Sequence, residues 1–147
     1  MKAATPLMYL LDTNLVSELR KVKAGKADPG VAAWAEAVEA GTLFVSAITL
    51  HELKLGVLLM ERRDPAQGTL LRQWLDQAVL PAFAGRILAV DAEVARRSAF
   101  LHAPDPQPFR DGLIAATALV HNLVVVTRNL ADFEASGVKL LNPWQQG

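Results

Sequence analysis

Short, strand-like runs, mostly apolar, recur along the chain at positions 8–11, 43–46, 86–90, 123–127 and 139–141. Each is too brief for a helix and is bounded by polar residues, Gly or Pro (Pro6 in the first case), which predicts strands. Between them the apolar positions return every three or four residues. That period predicts helices over 13–21, 30–40, 48–63, 66–83, 91–102, 109–121 and 130–136. Strands that alternate with helices are joined by crossovers, so the expected class is α/β, with a mostly parallel sheet of about five strands and helices on both faces. The runs "LFVS" and "LVVVT" lack any polar alternation, as strands covered on both faces should. The clearest loops are "KAGKADPG" and "APDPQP". In open sheets of this class a ligand binds beyond the carboxyl ends of the strands, where the strand order reverses. The first predicted strand ends there on an acid, Asp12.

A length of 147 residues fits one domain, 1–147, and a content of 52% hydrophobic residues is ample for its core. The chain has no cysteine, which excludes disulfides and thiolate metal sites and suits a reducing compartment. The first apolar run stops at Asp12, too early for a signal-peptide core, and no later one approaches the roughly 20 residues of a membrane span. A soluble, cytoplasmic protein is expected, with no membrane partner. The 15 basic and 15 acidic residues cancel. Zero net charge argues against a surface-wide grip on nucleic acid, so such contact has to come from local patches. Arg20, Lys21, Lys23, Lys26, Arg62–Arg63 and Arg96–Arg97 are the candidates, and each reads first as a solvated helix face.

Two further acids sit in apolar company. On the 48–63 helix Glu52 shares a face with Ile48, Leu55, Gly56 and Leu59; on the 109–121 helix Asp111 shares one with Ile114, Ala115, Ala118 and Leu119. Local explanations exist for each: Thr49-x-x-Glu52 is a capping-box pattern, Asp111 lies in a first helical turn, and Asp12 is placed to cap the helix after it. Asp91, among polar or mixed neighbours, reads as a cap outright. Capping does not explain why three acids from three separate elements all face the apolar side. An unpaired buried carboxylate costs several kcal/mol, and clustered carboxylates raise one another's pKa. No basic residue lies at matching spacing, and Arg110 is expected to point elsewhere on its helix. A divalent cation is then the simplest neutraliser, and oxygen-only ligands favour Mg²⁺ or Mn²⁺ over zinc.

The segments "LLDTN", "SAITLHEL", "RDGLIAATAL" and "VVTRNLADF" occur in this order and together resemble the PIN-domain family, in particular the VapC-like ribonuclease toxins of bacterial toxin–antitoxin pairs. The likeness runs from about Met8 to Pro143 and implies a three-layer α/β/α PIN-like fold. It implies that Asp12, Glu52 and Asp111 hold a Mg²⁺ or Mn²⁺ ion for hydrolysis of RNA phosphodiesters by a metal-activated water. A fourth acid of the family falls at Asn129 or at Asp132, so either the Asp132 charge or the Asn129 amide completes the site. Thr13, Asn14 and Thr127 look like groups that orient the carboxylates. The family further implies a cognate antitoxin that inserts a segment into the acidic cleft, a toxin homodimer, and DNA contact only through the antitoxin.

Two readings follow. The first is a Mg²⁺-dependent endoribonuclease toxin. The second, motivated by the neutral charge and Asn129, is a catalytically weak PIN-like binding module acting within an antitoxin–DNA complex. A haloacid-dehalogenase-type phosphatase would need an aspartate where Asn14 stands, and a receiver domain would need an acid pair with a suitable lysine. A histidine mechanism is disfavoured, because His51 points off the Glu52 face while His102 and His121 fall near helix ends. The "LGVLLM" stretch and Trp34, Trp74 and Trp144 suit either an interface or the core. No motif specifies which RNA is cut.

Overall fold

A computed structural model describes residues 7–144; the Pro6 boundary of the first strand lies outside them. Five parallel strands form one sheet in the order β3-β2-β1-β4-β5. They are β1 (Tyr9–Leu11), β2 (Leu43–Ser46), β3 (Ile87–Leu88), β4 (Val124–Val126) and β5 (Leu140–Leu141). β1 is central, pairing with β2 through Tyr9↔Leu43 and with β4 through Leu11↔Val126. The chain builds outward from β1 on one side, then returns to start again on the other. The order therefore reverses between β1 and β4, and sheets of this class bind their ligands in the crevice at the carboxyl ends of the strands there.

Seven α-helices among the described residues cover the two faces: α1 (Thr13–Leu19), α2 (Pro29–Ala37), α3 (Ala47–Arg63), α4 (Pro65–Trp74), α5 (Leu80–Ala82), α6 (Ala92–Leu101) and α7 (Phe109–His121). Successive strand residues point to opposite faces. Leu11, Val45 and Val126 accordingly pack with Leu15, Val31, Leu53 and Val57 on one side, and Leu10 and Val125 pack with Ile114, Ala118 and Phe133 on the other. This is the three-layer α/β/α arrangement. α7 is central to its layer, with residues 111–118 all buried. It stops where Asn122 adopts the left-handed conformation (φ 56°) that asparagine tolerates in a helix C-terminal turn. None of the described helices is long and apolar enough to cross a membrane.

Several boundaries differ from the periodicity. The 66–83 helix is interrupted by a π-turn at Leu75–Val79. Pro81 has no N–H to give and its ring crowds the carbonyl four residues back, so the widened turn accommodates it while keeping Leu75 and Val79 in the core. The 130–136 segment forms two 3₁₀ turns, Leu130–Asp132 and Glu134–Ser136. This tighter winding lets Phe133 bury almost completely between them. α2 ends at Ala37, because Val38 turns extended to lead back toward β2.

The α3–α4 hairpin depends on a glycine. A Cβ on Gly68 would lie 2.5 Å from the Glu61 Cα, closer than atoms approach. The tryptophans serve the core: Trp34 meets Tyr9 edge-on at 5.4 Å, Trp74 packs in the same cluster, and Trp144 is buried under Arg128. The "LGVLLM" stretch divides, with Val57 buried and Leu55, Leu58 and Leu59 exposed.

Candidate metal centre

Four elements deliver their ends to the crevice. Asp12 follows β1, and its backbone N–H donates to the Val126 carbonyl, which ties it to the neighbouring strand. Its carboxylate is almost wholly buried. Oδ1 accepts from the Thr13 N–H at 2.8 Å, in the manner of a cap, and Oδ2 accepts from the Thr127 hydroxyl at 2.8 Å. Thr127, which follows β4, is fully buried. It also accepts from the Asn129 N–H at 3.0 Å and, more distantly, from the Asn14 amide at 3.4 Å. Thr127 and Thr13 therefore hold the Asp12 carboxylate directly, whereas Asn14 acts only through Thr127.

Glu52 enters from the second turn of α3. The capping-box reading does not apply, since Ser46 caps this helix by accepting from the Ile48 N–H at 3.0 Å. The glutamate instead extends into the crevice, where its Oε1 accepts from the Thr13 hydroxyl at 2.5 Å. Buried Thr49, expected only as part of a capping box, stands 3.1 Å from the same hydroxyl and completes a short polar chain. Asp111, in the first turn of α7, comes from the opposite side of the sheet. Asp91 caps α6 through the Val94 N–H, away from this group.

The three acids meet on one cation, and it is Arg110. This corrects the expectation that Arg110 points elsewhere. Its Nε donates to Glu52 Oε2 at 2.6 Å, Nη1 to Asp111 Oδ1 at 2.7 Å, and Nη2 to Asp12 Oδ1. A helical projection gives the direction of Cβ, not the reach of a long side chain from a first turn beside the crevice. The planar guanidinium then serves as a fork, one nitrogen to each carboxylate. Burial by itself pushes the Glu52 carboxyl up, but hydrogen bonds from Arg110 and Thr13 outweigh it and hold the group below the usual carboxylate range. Burial likewise opposes the Arg110 charge, and the ring of acids more than restores it, so its pKa is raised.

Whether a metal fits has two answers. The donor set, three carboxylates converging from separate elements, is that of a hard divalent cation. The present spacing is that of a guanidinium: among the described residues no group of three or more His, Cys, Asp or Glu side chains is arranged to hold a metal ion as it stands. Metal–oxygen distances of about 2.0–2.6 Å would draw these oxygens closer, and Arg110 would have to leave. Of the two fourth-position candidates, Asp132 shares a narrow crevice with Asp111, Gln107 and Gly112. Asn129 reaches the site through its backbone N–H on Thr127. His51 is exposed, and His102 leans over Gly112, next to Asp111 on α7.

The fold and these motifs occur together in known proteins. VapC ribonuclease Y4jK of Sinorhizobium fredii is 41% identical over 143 residues, covering 94% of this chain and 99% of its own length. The crystal structure of FitAcB from Neisseria gonorrhoeae superposes with a TM-score of 0.85 at 38% identity, over 95% of this chain and 100% of that one. The DNA-bound VapBC structure from Salmonella typhimurium superposes with a TM-score of 0.64 at 26% identity, over 92% and 98% respectively. The family model described as PIN domain matches residues 9–135, from β1 through the second 3₁₀ turn. The chain therefore belongs to the PIN-domain family, among its VapC-like members.

Proposed function

We propose that this chain is the ribonuclease toxin of a VapBC-type toxin–antitoxin pair, hydrolysing RNA phosphodiesters with Mg²⁺ or Mn²⁺. One observation carries the reading: Asp12, Glu52 and Asp111 converge at the sheet's reversal point, where the fold class binds its ligands. A divalent cation bound by these three acids supplies Lewis acidity toward the scissile phosphate. The rest is done by the chain itself. Thr13 and Thr127 hold the Asp12 and Glu52 carboxylates by hydrogen bonds that leave an oxygen of each facing the shared cation position. Either Asp132, which shares a crevice with Asp111, or the Asn129 amide completes the oxygen set. The antitoxin partner, and DNA contact through it, are supported by the toxin–antitoxin assemblies among the solved relatives. A homodimer completes the proposal.

Purified protein incubated with total RNA tests it. Cleavage should require Mg²⁺ or Mn²⁺, stop in chelator, and be lost in Asp12→Asn and Asp111→Asn. Cleavage that survives chelator and both substitutions refutes the assignment.

The Arg110 ion pairs favour a second reading, a catalytically weak binding module whose acids are permanently occupied by an internal cation. It predicts no thermal shift with Mn²⁺. A ligand that binds only the native state stabilises it by about 2.7 kcal/mol at a hundredfold excess over Kd, so a clear shift that disappears in Asp111→Asn excludes it.

A further inference from the structure

We propose that Arg110 is a built-in counter-ion that closes the acid pocket of the free chain and competes with a divalent cation for the same three oxygens. The inference rests on the metal-dependent reading above and adds to it a residue of this chain that sets how readily the ion is taken up.

The geometry divides the carboxylate oxygens into two groups. One oxygen of Asp12 and one of Glu52 are tied down by the protein, Oδ2 by Thr127 and Oε1 by Thr13. Of the other oxygens, Asp12 Oδ1 (which also accepts from the Thr13 N–H), Glu52 Oε2 and Asp111 Oδ1 face a single guanidinium. A divalent cation would draw on the same three atoms, so occupation by Arg110 and by a metal ion exclude each other. Arg110 also donates to the Thr13 hydroxyl at 3.3 Å, which sets its plane against the floor of the pocket.

Charge makes the exchange reversible. Three carboxylates and one guanidinium leave the pocket two negative charges in excess, which attracts a divalent cation. Once that ion is bound, the acids and metal together still carry one negative charge, which retains Arg110 nearby. The side chain is one-third exposed, so it has a path outward without disturbing α7. When the cation leaves, the guanidinium returns.

Apparent affinity falls in proportion to the fraction of molecules whose site is open. If Arg110 holds the pocket in nine molecules of ten or more, its removal tightens binding at least tenfold. The experiment is a calorimetric titration of the full metal-free chain with Mn²⁺, with melting curves in its presence and absence, for the parent, Arg110→Met and Arg110→Lys. The proposal expects Arg110→Met to melt lower without metal, yet to bind Mn²⁺ at least tenfold more tightly and gain a larger thermal shift. Arg110→Lys, whose ammonium cannot address three acids with a planar fork, should fall between and serves if the Met variant does not fold. Unchanged or weaker Mn²⁺ binding in the folded variants overturns the proposal, as does absence of binding in all of them. Chelator-sensitive RNA cleavage by the parent at saturating Mn²⁺ is scored separately. Cleavage without an affinity gain defeats the counter-ion and leaves the nuclease; a gain without cleavage does the reverse.

Discussion

Thr127→Val isolates the contact that joins the two central strands at the site. Valine has nearly the same shape as threonine, so the substitution deletes one hydroxyl without opening a cavity. Lost is the 2.8 Å hydrogen bond to Asp12 Oδ2, between a fully buried donor and a carboxylate that is 1% exposed. A hydrogen bond to a charged group contributes about 1.5–3 kcal/mol, and water cannot reach this oxygen to replace it. The Asn129 N–H also loses its acceptor, but that residue is exposed and solvent compensates. With an unfolding entropy of about 2.1 cal/mol/K per residue, the 147-residue chain should melt roughly 5–10 °C lower. The assay is thermal and urea unfolding at pH 7, with an unchanged m-value showing that the unfolded state is not altered. Thr127→Ser keeps the donor and should recover most of the loss. In an Asp12→Asn background, where the acceptor charge is gone, the valine substitution should cost less, and the double-mutant cycle reports the coupling. A Thr127→Val protein within ~0.5 kcal/mol of the parent would refute the idea that this hydroxyl holds an ionised, buried carboxylate.

The remaining predictions concern pH, packing and the core. Because the folded Glu52 carboxyl lies below its ordinary value, the unfolded chain takes up that proton first as pH falls. Its contribution to stability is therefore complete above about pH 5 and lost as acid titrates the folded group; Arg110→Met, which leaves burial as the dominant influence, should flatten that acid limb in urea titrations at pH 3–7. Parallel curves for the two proteins would contradict this. Gly112→Ala would place a Cβ 2.4 Å from His102 Nε2, on a ring tethered by the Gln107 N–H at 3.1 Å. Overpacking of this kind costs about 1–3 kcal/mol, and adding His102→Ala should recover much of it as a positive coupling in urea unfolding. Leu10→Ala empties a fully buried position in the central strand and should cost about 2–5 kcal/mol by the same measurement.

What the sequence by itself determined was whatever depends on local period and chain direction. Short apolar runs alternating with helical patterns were enough for a parallel sheet under two helical layers, and α7 was recognisable as central because it is apolar almost all round. Asp12, Glu52 and Asp111 stood out because each placed a charge among residues that must be buried. The motif order added the family.

Tertiary structure alone decided the strand order, and with it the pairing of β1 with β4 that sets Thr127 against Asp12, residues 115 positions apart. It decided that Glu52 takes Thr13 as its partner rather than a capping role, since Ser46 reaches the end of α3 first. It also decided the direction of Arg110. Periodicity states which way a Cβ points, but a guanidinium on a flexible stem goes where the field is strongest. Three acids brought from distant parts of the chain make that field only after folding.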